Sequence, residues 1–135
     1  MNARSPLRPL ILCVDNREAE TELALLKKVL RRVGYRVLTT TNAYQALEIF
    51  RKNHVDLVLT EQLATSGGPA IPGLMKRLKP EVPVAIYSAD WEESVEDRRY
   101  ADIFITKLAS VDELLLTIQD LLGEDSTPDA MRLAA

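Results

Sequence analysis

The sequence predicts an α/β domain built on a doubly wound, five-stranded parallel sheet in the order 2-1-3-4-5, with about five helices. Three observations lead there. Short apolar runs such as Leu10-Ile11-Leu12-Cys13-Val14 and Val84-Ala85-Ile86-Tyr87 recur along the chain. The segments between them repeat apolar residues at helical spacing. A polar residue able to do chemistry closes four of the runs: Asp15, Glu61, Ser88 and Lys107. Near-continuous apolar strands alternating with amphipathic helices mean a parallel sheet covered on both faces. Right-handed crossovers then favour the 2-1-3-4-5 order.

Strand 1 is expected over residues 9 to 14, followed by a helix from Arg17 to Val33. In that helix Leu23, Leu26, Leu30 and Val33 mark the inner face, and Gly34 is placed to stop it. Strand 2 covers Tyr35 to Thr40. The next helix, Ala43 to Asn53, turns Ala46, Leu47, Ile49 and Phe50 inward. Strand 3 is Asp56 to Thr60, after which a loop rich in Gly, Ser and Pro leads to a short helix over Ile71 to Leu78. Strand 4 is Val82 to Tyr87, and the charged stretch Trp91 to Arg99 holds one short helix. Strand 5 is Asp102 to Thr106. The last helix opens on Ser110-Val111-Asp112-Glu113, a capping box, and runs to Gly123. Residues 1 to 8 and 124 to 135 read as tails around a single domain over 9 to 123.

At 135 residues the chain can bury a full core without disulfides or metals. A net charge of -3 and a pI near 5.2 argue against nonspecific nucleic-acid binding, although a local basic patch stays open. The lone Cys13 cannot form an intrachain disulfide, which suits a reducing compartment. Neither a signal peptide nor a membrane-spanning apolar run is visible, so a cytoplasmic protein with no membrane partner is expected.

In an open parallel sheet, the carboxyl ends of the strands form the crevice where ligands bind. The strand order brings Asp15, Glu61, Ser88 and Lys107 to that one edge. These segments (ILCVDN, VDLVLTEQ, VPVAIYSA and ADIFITKLAS) resemble the receiver domain of the bacterial two-component response regulators, across about residues 8 to 123. The resemblance implies a CheY-like, flavodoxin-like fold. It also implies a family chemistry in which an aspartate after the third strand takes a phosphoryl group from a histidine kinase or small phosphodonor. An acidic pair on the first strand holds Mg²⁺, a lysine clamps the phosphoryl oxygens, and a hydroxyl residue and an aromatic respond.

Carried over by position, Glu61 takes the phosphoacceptor place, and Asp15 and Asn16 take the acidic pocket. Ser88 is the switch hydroxyl, Phe104 the aromatic and Lys107 the lysine. Two of three acidic positions therefore depart. Asn16 is a poor ligand for a hard cation, which leaves Asp15 as a weak metal site and Mg²⁺ binding impaired. Glu61 carries one more methylene, which moves its carboxylate toward the place of a phosphoryl group. Leu108 replaces the proline that usually follows the lysine, the loop after Glu61 lacks a Met-Pro pair, and the Ser88 to Lys107 interval is about three residues short. That last deficit predicts a trimmed or distorted fourth helix.

These departures read as a pseudo-receiver: not an enzyme, with no catalytic residue and no required cofactor. It would work by protein contacts, with Glu61 lying against Lys107 either as a structural ion pair or as a partial imitation of the phosphorylated state. The expected partners are a histidine kinase, a phosphotransfer protein or a separate effector. No output domain reads after Gly123. The face formed by the fourth helix, fifth strand and last helix is the expected contact or homodimer surface, with Trp91, Val95, Arg98 and Phe104 on it. For Trp91 core packing is the leading reading and the partner anchor its alternative, and the charge run Glu92 to Arg99 reads as a solvated helix face. The runner-up is a working phosphoacceptor with slow or non-standard phosphorylation. A flavodoxin-like cofactor binder is disfavoured, since Asp15-Asn16-Arg17-Glu18 offers acids where a phosphate cradle needs glycines. His54 is expected to be a solvated cap at a helix end.

Overall fold

The computed structural model describes residues 8–61, 70–89 and 101–123. Their elements are β1 (Leu10–Val14), a 3-10 turn (Arg17–Ala19), α1 (Glu20–Val33), β2 (Arg36–Thr40), α2 (Ala43–Lys52), β3 (Leu57–Thr60), α3 (Ile71–Leu78), β4 (Val84–Ser88), β5 (Ile103–Thr106) and α4 (Val111–Leu121). All five strands are parallel, in the order β2-β1-β3-β4-β5. Both the fold class and the strand order agree with the expectation. The helix expected over Trp91 to Arg99, with Val95 and Arg98, lies outside the described residues. So do the loop from 62 to 69 and the tail from 124 onward.

The alternation of side chains along each strand divides the core into two layers. Ile11, Cys13, Leu57, Leu59, Ala85 and Ile105 face Leu23 and Leu30 of α1 and Leu114 and Ile118 of α4. The opposite set, Leu10, Leu12, Val14, Val58 and Val84, faces Ala46 and Phe50 of α2 and Ile71 and Met75 of α3. Every residue of β1 and β3 is buried, as central strands covered on both faces must be.

Helix ends follow local chemistry. The Asn42 side chain accepts from the Gln45 amide at 2.9 Å and starts α2. Ser110 accepts from the Glu113 amide at 3.1 Å and starts α4, as the capping box requires. Gly34, at φ 110°, closes α1 and donates to the Arg31 carbonyl. At the end of α2 it is Asn53 that caps, its side-chain amide donating to the Ile49 carbonyl at 2.9 Å. His54 therefore does not cap. Its ring is 93% exposed, with Nε2 3.6 Å from Asp56 Oδ1.

β4 begins at Val84, two residues later than expected, because Pro83 has no amide hydrogen to give the ladder. The starts of the strands are held by side chains. Asp56 accepts from the Leu10 amide and Asp102 from the Val84 amide, each at 2.7 Å. Lys76 donates to Asp102, Pro80 and Val82, and Lys79 donates to the Phe50 and Asn53 carbonyls. These contacts fix the edge of the sheet opposite the crevice.

Phe50 is fully buried between the sheet and α3, and the Lys79 ammonium lies 5.1 Å from its ring centroid. Phe50→Ala should lower the unfolding free energy by about 3–5 kcal/mol in urea titrations. Leu25→Ala, at a position 57% exposed on α1, should change it by less than about 0.5 kcal/mol.

Candidate functional site in the strand-end crevice

Three of the four polar residues stand one step beyond their strands, and backbone hydrogen bonds place them. The Asp15 amide donates to Thr40 O at 3.2 Å, the Glu61 amide to Val14 O at 2.9 Å, and the Lys107 amide to Ser88 O at 2.9 Å. Ser88 is the last residue of β4 and is buried. The strand ladder thus continues just far enough to deliver each side chain to one edge.

The Lys107 ammonium is the centre of the group. It donates to Asp15 Oδ2 at 2.7 Å, lies 3.4 Å from Glu61 Oε2, and is 3.9 Å from Glu22 Oε2 at the start of α1. The Tyr87 ring centroid is 5.9 Å away. Asp15 is 5% exposed, so its contact with Lys107 is shielded from water and correspondingly strong. Its other oxygen, Oδ1, accepts from the Asn16 amide at 2.7 Å. The sequence singled out Asp15, Glu61 and Lys107, and the structure brings them together. The expected Glu61–Lys107 pair forms, with Asp15 the nearer partner.

Asn16 follows Asp15 in the chain, its side-chain oxygen buried and without a hydrogen-bond partner among the described residues. Among the described residues no group of three or more His, Cys, Asp or Glu side chains is arranged to hold a metal ion. Among the described residues, the side-chain oxygens at this strand edge are the carboxylates of Asp15, Glu61 and Glu22, all of which Lys107 contacts, the Ser88 hydroxyl and the neutral amide of Asn16. Leu108 is 70% exposed, and every described peptide bond is trans. Phe104 is half-buried on β5, paired in register with Ile86. Trp91 lies outside the described residues.

Glu22 and Tyr87 were not singled out from the sequence. Glu22 could have been found from its place in the first turn of a helix that begins beside Asp15. Tyr87 could have been found from alternation, since it precedes Ser88 and must face the opposite side of β4.

Three titrations follow from this geometry. Burial pulls the Lys107 ammonium down, but the hydrogen bond and charge of Asp15, and then Glu61, outweigh it and raise it above the ordinary lysine value of 10.5. Burial pushes the Tyr87 phenol up, against the opposing charge of Lys107. Burial, then the charge of Asp15, pushes the Cys13 thiol from 9.0 up to about 12. Each folded value lies above its unfolded one, so each group's contribution is complete below the unfolded pKa and is lost as pH rises through the folded one.

Stability in urea should therefore decline from about pH 9 upward, by about 1.4 kcal/mol per pH unit for each group titrating. Cys13→Ala should decline less steeply between pH 9.0 and about 12. An equal slope for wild type and variant would remove Cys13 from the account. At neutral pH, Lys107→Met should cost about 3 kcal/mol, because it leaves the Asp15 carboxylate buried without its counter-ion.

A family model described as the response regulator receiver domain matches residues 11–119. The autoinducer 1 sensor kinase/phosphatase LuxN of Vibrio campbellii is 32% identical over 83 residues, covering 61% of this chain; the chain spans only 10% of that protein. The crystal structure of the response regulator TrrA of Thermotoga maritima, in complex with Mg²⁺-BeF, superposes with a TM-score of 0.73 at 26% identity. That match covers 84% of this chain and 98% of TrrA. TrrA in complex with the histidine kinase ThkA gives a TM-score of 0.72 at 25% identity, over 84% of this chain and 98% of TrrA.

Proposed function

This chain belongs to the response regulator receiver domain family, and from that premise we propose that it is a receiver-like signalling module that acts through protein contacts without being phosphorylated. One observation carries the reading: Lys107 is held at once by Asp15 and by Glu61, the residue in the phosphoacceptor place. Glutamate there offers a carboxylate one methylene further out, drawn toward the ammonium that would otherwise meet an incoming phosphoryl group. Attack in line on a phosphodonor needs a free, correctly placed carboxylate.

The donor set does not fit a resident Mg²⁺. That ion requires near-octahedral oxygen ligation with carboxylate help and gives up its waters reluctantly. Here Asn16 supplies a neutral oxygen in place of an acid, and the Asp15 and Glu61 carboxylates share a cation the chain itself provides. No step of the proposed action runs through a metal.

The partner class is a histidine kinase, a phosphotransfer protein or a separate effector. The capture of TrrA by ThkA supports a kinase in that role. Phe104 and Ser88 keep the residue types through which receivers couple the crevice to their outer face. Glu61 against Lys107 gives that coupling a fixed, partial imitation of the charged state. A single carboxylate carries less charge than a phosphoryl group, so the imitation is incomplete.

Incubation with a small phosphodonor and Mg²⁺, followed by intact-mass measurement, should leave the wild-type mass unchanged. A covalent phosphoryl adduct would instead establish a working phosphoacceptor. Glu61→Asp alone should remain unmodified, because Asn16 still withholds a metal ligand. The double variant Asn16→Asp with Glu61→Asp should gain an acid-stable, base-labile adduct. Rapid Mg²⁺-dependent labelling of the single variant would show that Asn16 does not limit the chemistry.

A further inference from the structure

Four arginines, Arg8, Arg31, Arg32 and Arg36, occupy positions flanking Gly34 at the edge of the sheet opposite the crevice. The Arg8 guanidinium lies over Gly34, with its carbon 3.4 Å from where a Cβ would stand. Arg36 Nε donates to the Arg8 carbonyl at 2.9 Å. Arg31 and Arg32 occupy the last turn of α1, and the Gly34 amide donates to the Arg31 carbonyl. All four are exposed. Among the described residues none lies within ion-pair distance of a carboxylate.

The negative end of the α1 dipole accounts for a cation or two in its last turn. It does not call for four. Like charges gathered in one area with no carboxylate at ion-pair distance among the described residues oppose the compact state, and this gathering occurs in a chain whose net charge is -3. From this juxtaposition we infer that the Arg8–Arg31–Arg32–Arg36 cluster is a docking surface for a short acidic segment of a protein partner.

Three features select that occupant. Arginine presents a planar fork that matches a carboxylate with two parallel hydrogen bonds. Val33, between Arg32 and Gly34, was expected on the inner face of α1 but is 42% exposed, so an apolar side chain of the partner has a seat beside the charges. The basic area is also short. Along the same edge the starts of β3, β4 and β5 carry Asp56, Glu81 and Asp102 interspersed with Lys76 and Lys79, Lys76 being paired with Asp102, so the edge offers mixed charge rather than a continuous basic track for a long polyanion such as duplex DNA. The surface is independent of the crevice, since the 14 residues of α1 separate the two by about 21 Å.

The test is fluorescence anisotropy of the intact chain with a labelled Glu-rich dodecapeptide carrying one leucine. Wild type should bind it, with affinity falling at least about tenfold between about 50 and 300 mM salt. Arg31→Gln with Arg32→Gln should weaken binding by about tenfold or more while leaving the circular dichroism unchanged; Arg8→Gln serves as a second variant at a different element. Glu61→Gln should bind as wild type does, which separates this inference from the crevice reading. Absence of peptide binding, equal binding by the arginine variants, or tighter binding of a duplex oligonucleotide of matched charge would each overturn it. So would salt-sensitive self-association abolished by the same variants, which would make a second copy the occupant.

Discussion

One ammonium group organises the crevice. Lys107 reaches from the end of β5, an edge strand, to Asp15 beyond β1, across 92 residues of sequence. Burial opposes a charge there, and only close carboxylates make it tenable. The loops after β1, β3 and β5 are thereby committed to one another. None of them can relax alone, because Lys107 supplies the cation that both carboxylates need and each carboxylate helps to hold that buried cation. Glu61 belongs to this arrangement as much as to any signalling role: it shares the cation and brings the end of β3 into the group.

That sharing shapes what the site can do. Two shielded carboxylates against one lysine leave the pocket modestly negative, with Glu22 adding more charge from its exposed place on α1. An incoming phosphoryl group would have to displace Glu61 from Lys107 and approach the remaining acids. Without a strong divalent site, the Lys107 ammonium, still held by Asp15, must offset that approach. On the proposed reading, each substitution alone weakens phosphorylation, and together they redirect the pocket from accepting charge to holding it.

Much of this was legible in the sequence for a simple reason. Runs such as Leu10–Val14 and Leu57–Thr60 are buried on both faces, so composition alone marks them, and their order follows from the handedness of the connections. Asp15, Glu61, Ser88 and Lys107 stood out because each closes such a run. The start of β4 was misplaced because apolar Val82 resembles a strand residue, while the missing amide hydrogen of Pro83 decides where pairing begins. Lys76, Lys79, Asp56 and Asp102 look like ordinary surface charges in a linear reading. Their roles depend on which backbone groups lie across the fold, and spacing along the chain does not reveal that. Glu22 joined the crevice for the same reason, since it reaches Lys107 only once β5 lies in place.

The carboxylates of Asp56 and Asp102 have a wider consequence. Each grips the first amide of a neighbouring strand, so register is set at the edge of the sheet away from the ligand crevice. A slip of one residue would lose the grip and turn every side chain to the wrong layer. With alignment secured from behind, the loops at the front are released from the task of aligning strands. They can gain, lose or exchange residues while the scaffold stays in place. A sheet clamped in this way can outlive the chemistry it first supported and be turned to another use.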